Sequence, residues 1–304
     1  MITIAITETD HCRRAESFMQ NLLPAAPLSY LRKLFKSGHI SIDGQPLDPD
    51  SDLHLGAVVS LKESSRLTQL LTGRKPDLDI LFEDQWIIVF NKQPGLAVHR
   101  AAEVDERNLV ELGQVFLRKR DGVPALSPLK LRPVNRLDRG TSGAIVLAKS
   151  PTAAGIFGRM VKEEGFGKLY LAIVKGTVPT EGVITTPLEG KESETSYHTL
   201  FQGSSAAFVA VTPLTGRMHQ IRQHFRVIGH PILGDKRYGG EVLRGFAGHA
   251  LHSFRTSFTH PATGVFHSIH APLPAPFLGL LRQLSGERCE TIIRSLPDLE
   301  QRLI

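Results

Sequence analysis

The chain has 304 residues, with 36 Lys and Arg against 30 Asp and Glu, a formal charge of +6 with histidine neutral. Hydrophobic residues at 41% and charged residues at 22% exclude a disordered chain, and apolar runs such as 87–90 fall far short of the ~20 residues of a membrane helix. The opening MITIAITETD lacks the pattern of an export signal, and Cys12 and Cys289 cannot make a disulfide framework, so a reducing, cytoplasmic setting is expected. The length suits two domains at roughly 150 residues each. The basic balance points to a polyanionic partner.

Residues 1–64 read as a small unit. Leu28, Leu31, Leu34 and Phe35 recur at helical spacing, Arg32, Lys33 and Lys36 take the polar positions, and Gly38 ends the helix. Residues 39–42 alternate like a strand and run into the tight-turn pair Asp43-Gly44; residues 57–61 form a further strand. The three cations are either a solvated helix face or a polyanion contact. Residues 65–79 are polar, broken by Gly73 and Pro76, and read as a linker.

From 80 to 304 strands dominate, at 80–82, 86–91, 143–148, 169–174, 196–201 and 206–211. Helical spacing appears at 153–161, 218–228, 277–284 and 291–304. Irregularly spaced strands with few helices predict an α+β fold with a mixed, largely antiparallel sheet. No dinucleotide fingerprint, phosphate loop, metal-ligand cluster or G-x-S-x-G elbow is present.

Two segments carry chemistry. Residues 130–143 (KLRPVNRLDRGTSG) hold four Lys or Arg and one acid, Asp138. A lone carboxylate among cations has its ionised form favoured. Asp138 is therefore either a persistent anion with a chemical role or the organiser of a turn, with Gly140 to Gly143 supplying turn geometry and local hydroxyl bonds. In residues 215–225 (TGRMHQIRQHF), Met218, Ile221 and Phe225 define an apolar helix face that Arg222 shares. A buried Arg needs a carboxylate, and Asp138 would serve; the competing reading is an Arg that snorkels to solvent.

Arg136-Leu137-Asp138-Arg139-Gly140-Thr141-Ser142-Gly143 resembles the H-R-L-D-x-x-T-S-G signature of the RluA-type pseudouridine synthases. The resemblance extends through 82–99, 168–176 (KLYLAIVKG), 215–222, 229–239 and 249–261, in family order. Residues 13–61 resemble an S4 RNA-binding domain, small and of α/β type, placed ahead of a pseudouridine synthase catalytic domain at 80–304.

The resemblance implies an enzyme that isomerises uridine within RNA to pseudouridine, without metal, nucleotide or redox cofactor. Large-subunit ribosomal RNA is the favoured target and transfer RNA the alternative; a non-catalytic RNA-binding assembly protein of the same fold is a further reading. A monomer with no membrane partner is expected. Carried over by position, Asp138 is the catalytic carboxylate, acting either as nucleophile on the ribose or through a glycal. Arg222 pairs with it and Tyr170 packs on the uracil. Arg136 fills the space of the extruded base. On pattern, Arg132 and Arg139 are candidate phosphate contacts, with ordinary solvated surface the competing reading; Arg217 and Gln220 are further candidate RNA contacts, and the S4 resemblance makes Arg32, Lys33 and Lys36 of the first helix contacts to RNA backbone. One position departs from the pattern: Asn135 stands where the family has His.

Overall fold

The structure, a computed structural model, describes residues 2–6, 14–23, 26–62, 78–99, 108–122, 130–163, 165–243, 246, 248–297 and 299. These form two compact units, one within residues 1–77 and one within 78–304.

The first unit contains β1 (Ile2–Ala5), α1 (Ala15–Leu22), α2 (Leu28–Lys36), β2 (Ile40–Ile42), β3 (Gln45–Pro46) and β4 (Val58–Leu61). The strands form an antiparallel sheet in the order β1-β4-β2-β3. Asp43 and Gly44 both take positive φ (47° and 82°), as a two-residue hairpin between β2 and β3 requires. Leu31, Leu34 and Phe35 of α2 pack with Phe18, Met19, Ile40, Val59 and Leu61. Their spacing leaves Arg32, Lys33 and Lys36 exposed.

The second unit comprises β5 (Ile80–Glu83), β6 (Ile87–Lys92), α3 (Leu109–Arg120), β7 (Arg132–Pro133), β8 (Ser142–Ala148), α4 (Pro151–Glu163), β9 (Gly167–Lys175), β10 (Glu181–Ile184), β11 (Thr195–Gln202), β12 (Ala206–Pro213), α5 (Gln220–Val227), β13 (Leu251–Thr259), β14 (Phe266–His270), α6 (Ala275–Ser285) and α7 (Cys289–Ser295). Its sheet runs β10-β11-β12-β9-β13-β8-β6-β5, with β14 on β13 and β7 on β8. Among the described pairs only β8 and β13 are parallel, so the mixed, largely antiparallel sheet read from strand spacing is the one observed. Of the expected linker, residues 65–77 lie outside the described residues, while Leu78 packs on the core of the second unit and the Asp79 carboxylate accepts from Asn91. Of the helix expected over 291–304, α7 covers 291–295 and ends at Ser295; residues 298 and 300–304 lie outside the described ones.

Residues 87–90 of β6 and 144–148 of β8 are apolar at every position because both sheet faces are covered there. Ile88, Phe90, Ile145 and Leu147 face one cluster with Leu109 and Leu117 of α3 and Phe277 of α6; Ile87, Val89, Ala144 and Val146 face the other with Phe157 and Met160 of α4. The strand period of two thus splits one continuous run between two cores.

The register also aligns a row across five strands: Lys92 opposite Gly143, Gly143 opposite Ser253, Ser253 opposite Tyr170, and Tyr170 opposite Val211. Glycine is required in that row. Gly143 has φ +108°, and a Cβ there would lie 2.2 Å from the Ser253 carbonyl oxygen. The row ends β6 and begins β8, and it fixes the height at which the 135–141 loop meets the sheet.

Candidate active site

The loop that enters β8 alternates inward and outward. Asn135 is buried and its Oδ1 accepts from the Val146 amide at 2.9 Å, Leu137 joins the core, and Arg136 and Arg139 are exposed. Asp138 opens a turn closed by the Thr141 amide on its carbonyl at 3.1 Å. The loop hydroxyls do not bond locally as the sequence suggests. Thr141 Oγ1 pairs with His249 Nε2 and Ser142 Oγ with His252 Nδ1, each at 2.8 Å; the parallel β8–β13 register sets Ser142 opposite His252, and His249 lies just before β13. On its other side the loop is tied by Lys92. The buried Lys92 ammonium donates to the carbonyls of Gln93 (3.0 Å), Leu96 (2.8 Å) and Arg139 (3.1 Å). Burial pushes that ammonium down to about 7, against the pull of the Asp138 charge.

Arg222 arrives from α5. That helix starts at Gln220 because His219 sits in the left-handed region (φ 53°, ψ 25°) and breaks it from the preceding turn. Met218 therefore precedes the helix and is exposed, which corrects its expected place on the apolar face with Ile221 and Phe225. Arg222 is buried. Its Nε donates to Asp235 Oδ2 at 2.6 Å, its Nη2 to Asp235 Oδ1 at 2.8 Å and its Nη1 to Asp138 Oδ2 at 2.8 Å. The Tyr238 ring lies 4.9 Å from the guanidinium carbon.

The pairing of Arg222 with Asp138 foreseen from the helix face is present, but the fuller partner of Arg222 is Asp235. Burial pushes the Asp235 carboxyl up, and the Arg222 guanidinium more than reverses it, holding Asp235 below its ordinary value. Side-chain exposure then distinguishes the three: Asp235 1%, Arg222 9%, Asp138 25%. One carboxylate satisfies the cation in the interior, and the other, partly exposed, meets it through Oδ2 alone, with Oδ1 3.7 Å from His219 Nε2.

Tyr170 comes from β9, buried in the aligned row. Burial drives its phenol up to about 12; a hydrogen bond with Ser253 opposes this and the Asp138 charge adds to it. An apolar ring with a protonated hydroxyl thus sits within electrostatic reach of Asp138.

Of the expected RNA contacts, Arg132 and Arg136 are exposed. Arg139 Nε donates to the Gly95 carbonyl at 2.8 Å and Arg217 Nε to the Glu192 carbonyl at 3.0 Å, while both remain exposed. Gln220 requires correction. It is buried, its Nε2 donates to the Glu194 carbonyl and Thr195 Oγ1, and its Oε1 accepts from Thr215 Oγ1 and the Arg217 amide. Four bonds exhaust the amide, so Gln220 braces the turn before α5 and has nothing to offer RNA. In the first unit Arg32 is paired with Glu16 at 2.8 Å.

Asp235, Tyr238, His219 and Lys92 escape sequence reasoning as site members. The loop around Asp235 did carry a signal: Gly229, Gly234 and Gly239 all have positive φ, and a Cβ on Gly240 would lie 2.0 Å from the Ile232 carbonyl oxygen. Glycine at such density marks a backbone folded tightly to aim a side chain.

The buried histidines give a stability prediction. His252 is fully buried between Ser142 Oγ and the Ala271 carbonyl, and burial holds it down to about 4. Its folded pKa lies below the unfolded ~6.5, so the unfolded state binds the extra proton, and stability falls as pH drops from ~6.5 toward ~4. The loss approaches about 3 kcal/mol at the acid end. Urea midpoints measured between pH 7.5 and 4 should show this, and His252→Gln, though less stable at pH 7, should show a shallower decline.

A partly exposed aspartate fixed by a buried Arg–Asp pair and backed by a protonated tyrosine is an arrangement that can present a carboxylate to a substrate. Residues 86–226 match the sequence profile described as RNA pseudouridylate synthase. Ribosomal large subunit pseudouridine synthase C of Buchnera aphidicola is 32% identical over 92% of this chain and 96% of its own length. Ribosomal large subunit pseudouridine synthase D of Pseudomonas aeruginosa is 30% identical over 91% and 93%. Among solved structures, human RNA pseudouridylate synthase domain containing 1 superposes with a TM-score of 0.53 at 26% identity, covering 69% of this chain and 95% of that one. The chain belongs to the RNA pseudouridylate synthase family, whose members are isomerases acting on RNA.

Proposed function

We propose that the protein converts uridine to pseudouridine in large-subunit ribosomal RNA, with Asp138 as the catalytic carboxylate. The observation that carries this reading is a partly exposed Asp138 carboxylate whose Oδ2 is fixed on Arg222 at 2.8 Å. In the reaction the N1–C1′ bond breaks, the uracil turns, C5 bonds to C1′, and the proton lost from C5 is balanced by one gained at N1. A carboxylate that attacks the sugar divides this into easier steps. The base must leave its stack to reach Asp138, and Arg136, exposed two residues away, fills the vacated space. Tyr170 packs on the uracil; a phenol pushed to about 12 stays protonated at neutral pH and serves as a wall rather than a resting base.

The ribosomal target follows from the relatives of matching length. The non-catalytic reading loses its one sequence argument, since Asn135 bonds the Val146 amide as part of the scaffold. Pseudouridine mapping after incubation with large-subunit ribosomal RNA and transfer RNA transcripts tests the proposal. Product in the ribosomal transcript is expected; product only in transfer RNA overturns the target, and none in either overturns the activity.

The first unit is, in this reading, an S4-like RNA-binding domain that presents α2 to phosphates. Binding should weaken steeply with salt, and Lys33→Gln with Lys36→Gln should reduce the log–log slope by about 0.7–0.9 per lost phosphate contact. Arg32→Gln should change it less, since Glu16 already neutralises that side chain. Filter binding across a salt series checks this, and an unchanged slope removes α2 from the interface.

A further inference from the structure

His219 is one of three non-glycine residues with positive φ among those described. A left-handed residue with a Cβ costs about 1 kcal/mol, and glycine or asparagine would fill the turn more cheaply. The conformation places the ring between two groups of the site. Nδ1 lies 2.9 Å from the Tyr238 hydroxyl, and Nε2 lies 3.7 Å from Asp138 Oδ1. Tyr238 in turn covers the Arg222 guanidinium. Each oxygen of Asp138 thus faces a different group, Oδ2 the arginine and Oδ1 the histidine.

We propose that Tyr238 and His219 orient the reactive oxygen of Asp138: the tyrosine hydroxyl donates to Nδ1, the ring keeps its proton on Nε2, and that N–H limits the rotation of Oδ1. The inference rests on Asp138 being the catalytic carboxylate. His219 is a positioning residue, since it acts through Asp138. At 3.7 Å the contact is longer than a hydrogen bond, so the neutral N–H acts on Oδ1 as a nearby dipole and leaves the oxygen free to attack. Burial, with Arg222 and Arg237, disfavours the imidazolium, and Asp138 and Asp235 favour it; burial prevails and the ring is held below its ordinary value.

Nitrogen-15 histidine NMR of the free protein should find His219 neutral at pH 7.5 with its proton on Nε2. Tyr238→Phe should weaken that preference and lower kcat several-fold. His219→Gly, which keeps the left-handed turn, should lower kcat on a large-subunit ribosomal RNA transcript by about 10- to 100-fold, with RNA affinity within twofold and no loss of melting temperature. His219→Asn, which also tolerates that backbone, is a second variant with the same expected split. The acid limb of the wild-type kcat profile that reports imidazolium formation should vanish in His219→Gly. A proton on Nδ1 overturns the inference without any RNA present, even in an active enzyme. His219→Gly at full kcat overturns it as well. An Asp138→Asn protein that retains activity overturns the reading beneath it.

Discussion

Replacing Asp138 by Asn should lower single-turnover pseudouridine formation by about 10³-fold or more while leaving the fold intact. The two halves of this expectation come from different bonds. Asn keeps an oxygen that can accept from Arg222 Nη1, and Arg222 remains bidentate to Asp235, so its charge is never stranded. What disappears is the negative charge of the carboxylate that the fold leaves partly exposed. RNA affinity should hold or rise slightly, since one negative charge leaves a basic surface. Thermal denaturation, RNA binding and single-turnover assays on the same preparation check the three parts together. A substantial loss of melting temperature would show that Asp138 is needed for the fold, and full activity would remove it from the chemistry.

The sequence was most readable where a pattern is local. Helix α2 is visible in Leu31, Leu34 and Phe35, and β6 and β8 in their unbroken apolar runs. Asp138 and Arg222 were legible for another reason: a lone acid among cations and an arginine on an apolar face each pose a charge problem that the other solves. Helix α3 escaped because Gly113 interrupts its pattern, and the reason for that glycine is remote: a Cβ there would lie 2.8 Å from Leu131. The bonds from Thr141 to His249 and from Ser142 to His252 span more than a hundred residues, and the second depends on the parallel β8–β13 register that sets Ser142 opposite His252. Gln220 misled because an exposed and a buried amide look alike in sequence. His219 was hidden because nothing in a residue string shows that a histidine has taken a left-handed turn.

Asp235 carries the largest expected stability effect. Asp235→Asn should destabilise the protein by about 3 kcal/mol, because it leaves the Arg222 Nε and Nη2 donors facing a neutral amide that can accept only one of them. For a unit of this size that is roughly 6–12 °C in melting temperature. Activity should fall too, since an Arg222 released on that side no longer fixes Asp138 Oδ2. The pH dependence separates this from a packing defect. The Asp235 carboxyl is held below its ordinary value in the fold, so its contribution is complete above the unfolded value of ~3.9 and is lost as pH falls through the lower folded value. The stability gap between wild type and Asp235→Asn should therefore be constant near neutrality and narrow only below about pH 4. A gap that persists unchanged into acid would mean that the side chain's shape, rather than its charge against Arg222, holds the site together. Asp138→Asn, with the same change in formal charge, should open no comparable gap, because Asp138 is partly exposed and meets Arg222 through a single bond that an amide oxygen can keep.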